Sequence, residues 1–165
     1  MIMVKETVEQ IITMMSQAGL SDEEYQKVFD LAKQAEEQTH DAFLQYMLGL
    51  CYQVGRGTVI NQKKAFDYYL KSANQGNAQS MYTVGLCYEN GMGVEEDLNE
   101  ACDWYYKANE LGHVDAMFQL GWLYMFATED NEEAFNYGVE CMRAAAENDH
   151  PQAIEIMKEL EKAGH

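Results

Sequence analysis

The sequence predicts an all-α protein, a short α-solenoid of about nine helices built from helix–loop–helix repeats. The first ground is a period. Gly49, Gly85 and Gly121 stand 36 residues apart, and so do Tyr52, Tyr88 and Tyr124. Gly55 and Gly57 recur as Gly91 and Gly93, Ala65 as Ala101, and Gly76 as Gly112. Nine of the 12 glycines fall on these positions, which chance does not explain. The second ground is composition. There is a single proline, Pro151, and alternating β-branched runs are few. With 47% apolar residues, a chain of 165 can bury a core as one domain.

At the N-terminus, Val4, Val8, Ile11, Ile12 and Met15 have helical spacing, and Gly19 can close that helix. Ser21 and Glu24 form a capping box that opens a second helix running to about Gln38. Residues 1–39 therefore read as capping helices. A repeat over 40–77 follows, whose first helix runs from Ala42 to Val54 with Leu48, Gly49 and Tyr52 on one face. A mid-helix glycine costs about 1 kcal/mol against alanine, so three at one phase need a compensating reason; close approach of a neighbouring helix backbone is the simplest. Gly55 and Gly57, and then Gly91 and Gly93, end the helix and turn the chain. Asn61 and Asp97 are N-cap candidates for the second helices, Asp97 with Glu100 in a capping-box pattern. Ala65, Tyr69 and Ala73, and then Ala101, Tyr105 and Ala108, mark the buried faces, and Gly76 and Gly112 are expected as C-caps.

The second repeat covers 78–113. A third, over 114–149, departs from the pattern: Ala127 and Glu129 replace the loop glycines, and Asp130 is the N-cap candidate, three residues early. Lys71, Lys107 and Arg143 nevertheless keep the interval, so the loop loses three residues and the following helix gains about one turn. Residues 150–165 form a capping helix, with Pro151 in its first turn and Ala153, Ile154, Met157 and Leu160 as its apolar stripe.

The charge is −17, and it is uneven: residues 1–73 carry −3 and residues 74–165 carry −14. That balance argues against nucleic acid and anionic membrane as partners, since both require Lys/Arg to neutralise phosphate. The acidic half reads either as a solvated face or as a landing surface for a basic partner, with Glu95, Glu96, Glu129, Asp130, Glu132 and Glu133 as its electrostatic candidates. No signal segment or membrane span is expected, and the chain is placed in the cytoplasm. Cys51, Cys87, Cys102 and Cys141 form no CxxC pair and read as buried thiols.

No catalytic constellation emerges. His40, His113, His150 and His165 have no partner at metal-ligand spacing, and the first three fall at helix junctions, where capping is the simpler role. Cys51 and Cys87 share one phase, which favours packing over nucleophilic chemistry. Gly-x-Gly follows a helix rather than a strand, so it is no dinucleotide fingerprint. The carboxylates lack calcium-loop spacing. No metal, cofactor or enzymatic activity is expected.

These residues resemble the Sel1-like repeat (SLR) family, relatives of the tetratricopeptide repeats. The second repeat carries the match in Ala78, Val84, Gly85, Tyr88, Gly91, Gly93, Val94, Asp97, Ala101, Trp104, Tyr105, Lys107, Ala108 and Gly112. The first carries Ala42, Leu48, Gly49, Tyr52, Gly55, Gly57, Asn61, Lys64, Ala65, Tyr68, Tyr69, Lys71, Ala73 and Gly76. The resemblance implies a right-handed superhelix of antiparallel helix pairs and a scaffold or adaptor role. In bacteria it also implies host-interaction factors and immunity proteins that neutralise toxins. The β-lactam-binding branch carries paired cysteines, which this chain lacks.

A solenoid's first helices usually line its concave side. Phe43, Met47, Leu50 and Val54 lie on one helical stripe there; the repeat maps it onto Gln79, Thr83, Leu86 and Asn90, then onto Asp115, Gln119, Trp122 and Phe126. Positions that vary between repeats suit partner recognition, and each apolar member either faces a partner or packs on a neighbouring helix. Trp122 is the best anchor. The expected partner is a protein or peptide held on this face. The alternative is a basic toxin whose active site an immunity protein would block.

Overall fold

Local sequence fixes most helix ends. The computed structural model describes the backbone of residues 2–126 and 131–163, with side chains from Val8 onward. Val4, Ala127, Glu129, Asp130 and His165, singled out above, have side chains outside that description. Among the described residues there are nine α-helices and no strand: α1 (Ile2–Ser16), α2 (Asp22–Thr39), α3 (Ala42–Val54), α4 (Gln62–Ala73), α5 (Ala78–Asn90), α6 (Leu98–Glu110), α7 (Val114–Phe126), α8 (Glu132–Glu147) and α9 (Pro151–Ala163). They divide into two compact units, one ending at Asp97 and one starting at Leu98.

In the first unit, Val8, Ile11 and Met15 are buried among the described side chains of α1. The capping box of α2 forms: the Ser21 side chain accepts from Glu24 N–H, and the Glu24 carboxylate accepts from Ser21 N–H at 2.8 Å. Helices α3 and α4 run antiparallel, because Ala42 meets Ser72 while Gly49, seven residues on, meets Tyr69. Gly55 is the C-cap of α3, with φ 75° and its N–H on the Cys51 carbonyl. Gly57 does more than turn the chain. A Cβ there would run into the Tyr25 carbonyl, and one on Gly93 into the Gln62 carbonyl, so each loop lies directly on a helix start of the preceding layer. Gly49 corrects an expectation: its hydrogen makes room for the buried Tyr69 ring, 2.5 Å from a would-be Cβ, and not for a helix backbone. Gly76 and Gly112 keep positive φ, but Gly76 lies past the end of α4, whose C-cap is Asn74.

The unit also holds buried polar chains. Ser80 Oγ donates to Ser72 Oγ at 2.7 Å, and Ser72 donates to the Ala42 carbonyl at 2.6 Å, tying α5, α4 and α3 together. Gln75 donates to Gln45 Oε1, and Gln45 donates to Glu36 Oε1 at 2.8 Å, which partners two buried polar side chains. Unpartnered, each would cost roughly 1–3 kcal/mol.

In the second unit, α7 and α8 are antiparallel and touch at Gly121 and Gly138. A Cβ on Gly138 would sit 2.8 Å from Met125 N and 2.9 Å from the Gly121 carbonyl oxygen. Here the close backbone approach is real. Helix α8 has 16 residues against 12 in α4, the extra turn that the spacing predicts. Its N-cap is Asn131, whose side chain accepts from Ala134 N–H at 3.1 Å; the expectation at Asp130 is one residue early. Both residue types can cap, so local propensity alone does not choose between neighbouring Asp and Asn. Helix α9 starts at Pro151, as predicted, and packs through Met157, Ile156 and Leu160 on a core of Met125, Met142, Ala145 and Ala153.

Candidate functional site: an aromatic groove

Helices α3, α5, α7 and α9 open on one repeating position. Asp41 accepts from Leu44 N–H, Asn77 from Ser80 N–H, His113 Nδ1 from Ala116 N–H and His150 Nδ1 from Ala153 N–H. The two imidazoles are thus capping groups, and a third histidine, His40, is the left-handed C-cap of α2. His150 also stacks on Phe118, with ring centroids 4.3 Å apart and planes at 14°, and its Nε2 lies 3.5 Å from Asp115 Oδ1. Because Nδ1 is an acceptor, the neutral ring carries its proton on Nε2, the nitrogen nearer Asp115. This stack holds the start of α9 against α7.

From that fixed end, a groove of about 560 Å³ runs between the two helices. Phe118, Trp122 and Phe126 line it from α7, and Ile156 and Leu160 from α9. Met125 and Phe135 join the lining, so the groove is continuous with the unit's core. Trp122 and Phe126 pack ring on ring at 4.5 Å yet remain 44% and 58% exposed. Two large aromatics exposed side by side are informative where isolated apolar residues are not. Gln152, Glu155 and Glu159 line the α9 side, and among the described residues no Lys or Arg lines the groove.

Of the predicted site residues, the structure brings Trp122 and Phe126 together here. Gln119 is half-buried outside the lining, and Asp115 is exposed beside His150. In the first unit, Phe43 is exposed and tilted against Tyr46, and Met47 is half-buried. Gln79 is exposed, and Thr83 donates to its carbonyl. Both Gln79 and Thr83 hydrogen-bond Tyr46, whose phenol burial pushes above its usual range. Asn90 is exposed and donates to the Leu86 carbonyl. Glu95 and Glu96 are exposed ahead of α6, and Glu132 and Glu133 occupy the first turn of α8. Sequence reasoning missed Phe118, Phe135, Ile156, Glu155 and Glu159. The 118, 122, 126 spacing on α7 was a readable signal; the approach of α9 was not.

Burial raises the Cys51 and Cys87 thiols to about 11, so both stay protonated and pack as small apolar groups. Burial likewise holds the Tyr69 phenol, which donates to Gln53 Oε1 at 2.6 Å, far above its usual range. No group of three metal-ligating side chains occurs among the described residues. No helix among them is long and apolar enough to cross a membrane.

Consecutive helices joined by glycine loops at a 36-residue interval define a helical repeat protein. The Sel1 repeat model matches residues 42–77, 78–113 and 114–150, and the chain belongs to the Sel1 repeat family. Among solved structures, it is similar to a Sel1 repeat protein from Oxalobacter formigenes, with 28% identity and a TM-score of 0.70 over 86% of this chain and 53% of that one. It is also similar to a protective antigen of uropathogenic Escherichia coli with an SLR fold, with 22% identity and a TM-score of 0.75 over 91% and 32% of the two chains. An immunity protein from Pseudomonas aeruginosa matches at 22% identity and a TM-score of 0.60, over 92% and 55%. The chain thus spans about half of the first of these structures and a third of the second. No curated protein matches it.

Proposed function

We propose that this chain is a non-catalytic scaffold or adaptor that binds a protein or peptide, with the α7/α9 groove as its principal contact surface. The observation that carries the reading is the exposed Trp122–Phe126 pair over an apolar floor. A partner that covers it recovers apolar burial worth about 25 cal/mol per Å², and tryptophan at the centre of such a surface is a favoured hot spot. The face formed by Phe43, Met47, Gln79, Thr83 and Asn90 is proposed to add contacts from the first unit. Sel1 repeats are a family of interaction scaffolds, which supports this assignment. No disulfide joins the four cysteines among the described residues, which suits a cytoplasmic setting.

The test is affinity capture with wild type and a Trp122→Ala/Phe126→Ala variant side by side. A stoichiometric partner held by wild type and lost by the variant is expected. Identical capture by both would overturn the assignment.

A second reading, neutralisation of a basic toxin, is favoured by the −14 charge of residues 74–165 and by the likeness to the immunity protein fold. It requires association with a purified basic toxin to slow steeply with salt, because charge steers the encounter. A salt-indifferent rate would remove it.

A further inference from the structure

Resting on the groove reading above, we infer that the occupant is an amphipathic helical segment of a partner protein, apolar where it enters and bearing Lys or Arg along the α9 side. Shape gives the first ground. The lining runs from Phe118 to Phe126 on α7 and from Gln152 to Leu160 on α9. Eight residues of helix rise about 12 Å, or two turns. A guest helix offering anchors at i, i+3 or i+4, and i+7 covers that length and lays its apolar face between the two host helices. An extended guest of the same length has only about four residues, with alternate side chains pointing away.

Charge gives the second ground. Glu155 and Glu159 stand one turn apart on the α9 side, and among the described residues no basic side chain joins the lining. Guest cations four residues apart fall at the same pitch. Lys162 pairs with Glu159 at 2.6 Å, but both are largely exposed, and such a pair exchanges at little cost. Glu155 has no ion pair among the described residues. An acidic guest would meet Glu155 with no paired cation among the described residues and would compete with Glu159 for Lys162.

The experiment uses the full chain and two tryptophan-free peptides of about 18 residues with one amphipathic pattern, Leu/Lys and Leu/Glu. Trp122 is read by acrylamide quenching, with Trp122→Phe identifying its signal against the buried Trp104. The Leu/Lys peptide is expected to protect Trp122 and to bind about tenfold tighter than Leu/Glu. Glu155→Gln with Glu159→Gln should erase most of that preference, while Glu95→Gln with Glu96→Gln, which removes the same charge outside the groove lining, changes it less than about twofold. Equal effects of the two pairs would mean diffuse attraction to an acidic chain and overturn the inference. Equal protection of Trp122 by both peptides would overturn the charge assignment and leave the groove reading standing. Protection by neither would overturn both. Protection that grows with protein concentration alone would make a second copy the occupant, again overturning it.

Discussion

One position of the repeat changes from Asp41 and Asn77 to His113 and His150 while keeping the same capping bond. At His113 this has a pH consequence. Burial holds its imidazole below the ordinary 6.5, and Asp115 pulls it partway back. A folded pKa below the unfolded one means that protons bind the unfolded chain better. The capping contribution is therefore complete above about 6.5 and is lost as pH falls through the lower folded value. Denaturation at pH 8 and pH 5 should show stability dropping on the acid side. His113→Asn, which copies Asn77, should shrink that drop; an unchanged drop would remove His113 as its source. The capping role was legible from the junction position of the histidines. The Phe118 stack and the Asp115 contact of His150 were not, because they join α9 to residues more than thirty positions earlier.

Among the elements, α8 tests the packing argument. Replacing a mid-helix glycine by alanine ordinarily gains about 1 kcal/mol. At Gly138 the new methyl would press on Met125 N and the Gly121 carbonyl, backbone atoms that cannot swing aside. Gly138→Ala should therefore destabilise by about 1–3 kcal/mol in chemical denaturation, the usual range for overpacking. A more stable variant would show that the two helices can part. The start of the same helix gives a second test. Asn131→Ala should cost about 1 kcal/mol and Asn131→Asp almost nothing. An equal cost for both would mean that Asn131 does not act through its cap. The period and the cap residues made nearly every helix legible, whereas Gly138 lies off the 36-residue register, so periodicity did not reveal it.

For the whole molecule, binding and stability should separate. Trp122 is half in solvent, so Trp122→Ala should change unfolding by less than about 1 kcal/mol yet cost about 2 kcal/mol or more in partner affinity. A large loss of stability with unchanged affinity would make Trp122 a packing residue. Binding should also weaken with salt, since the acidic groups beside the groove are exposed and screened. A small part of the candidate site was legible: repeat variation singled out Trp122 and Phe126. Their groove was not, because Leu160 read as part of the buried stripe of a capping helix and Ile156 lay outside that stripe.

The sequence alone determined the helix count among the described residues, most helix ends and the family, because capping, glycine loops and hydrophobic period are local properties that repeat every 36 residues. Tertiary structure decided which glycine faces a ring and which a backbone, which histidine joins two helices, and which apolar stripe stays open. Those outcomes depend on how far apart two helices settle, and that distance is set by the side chains of both at once.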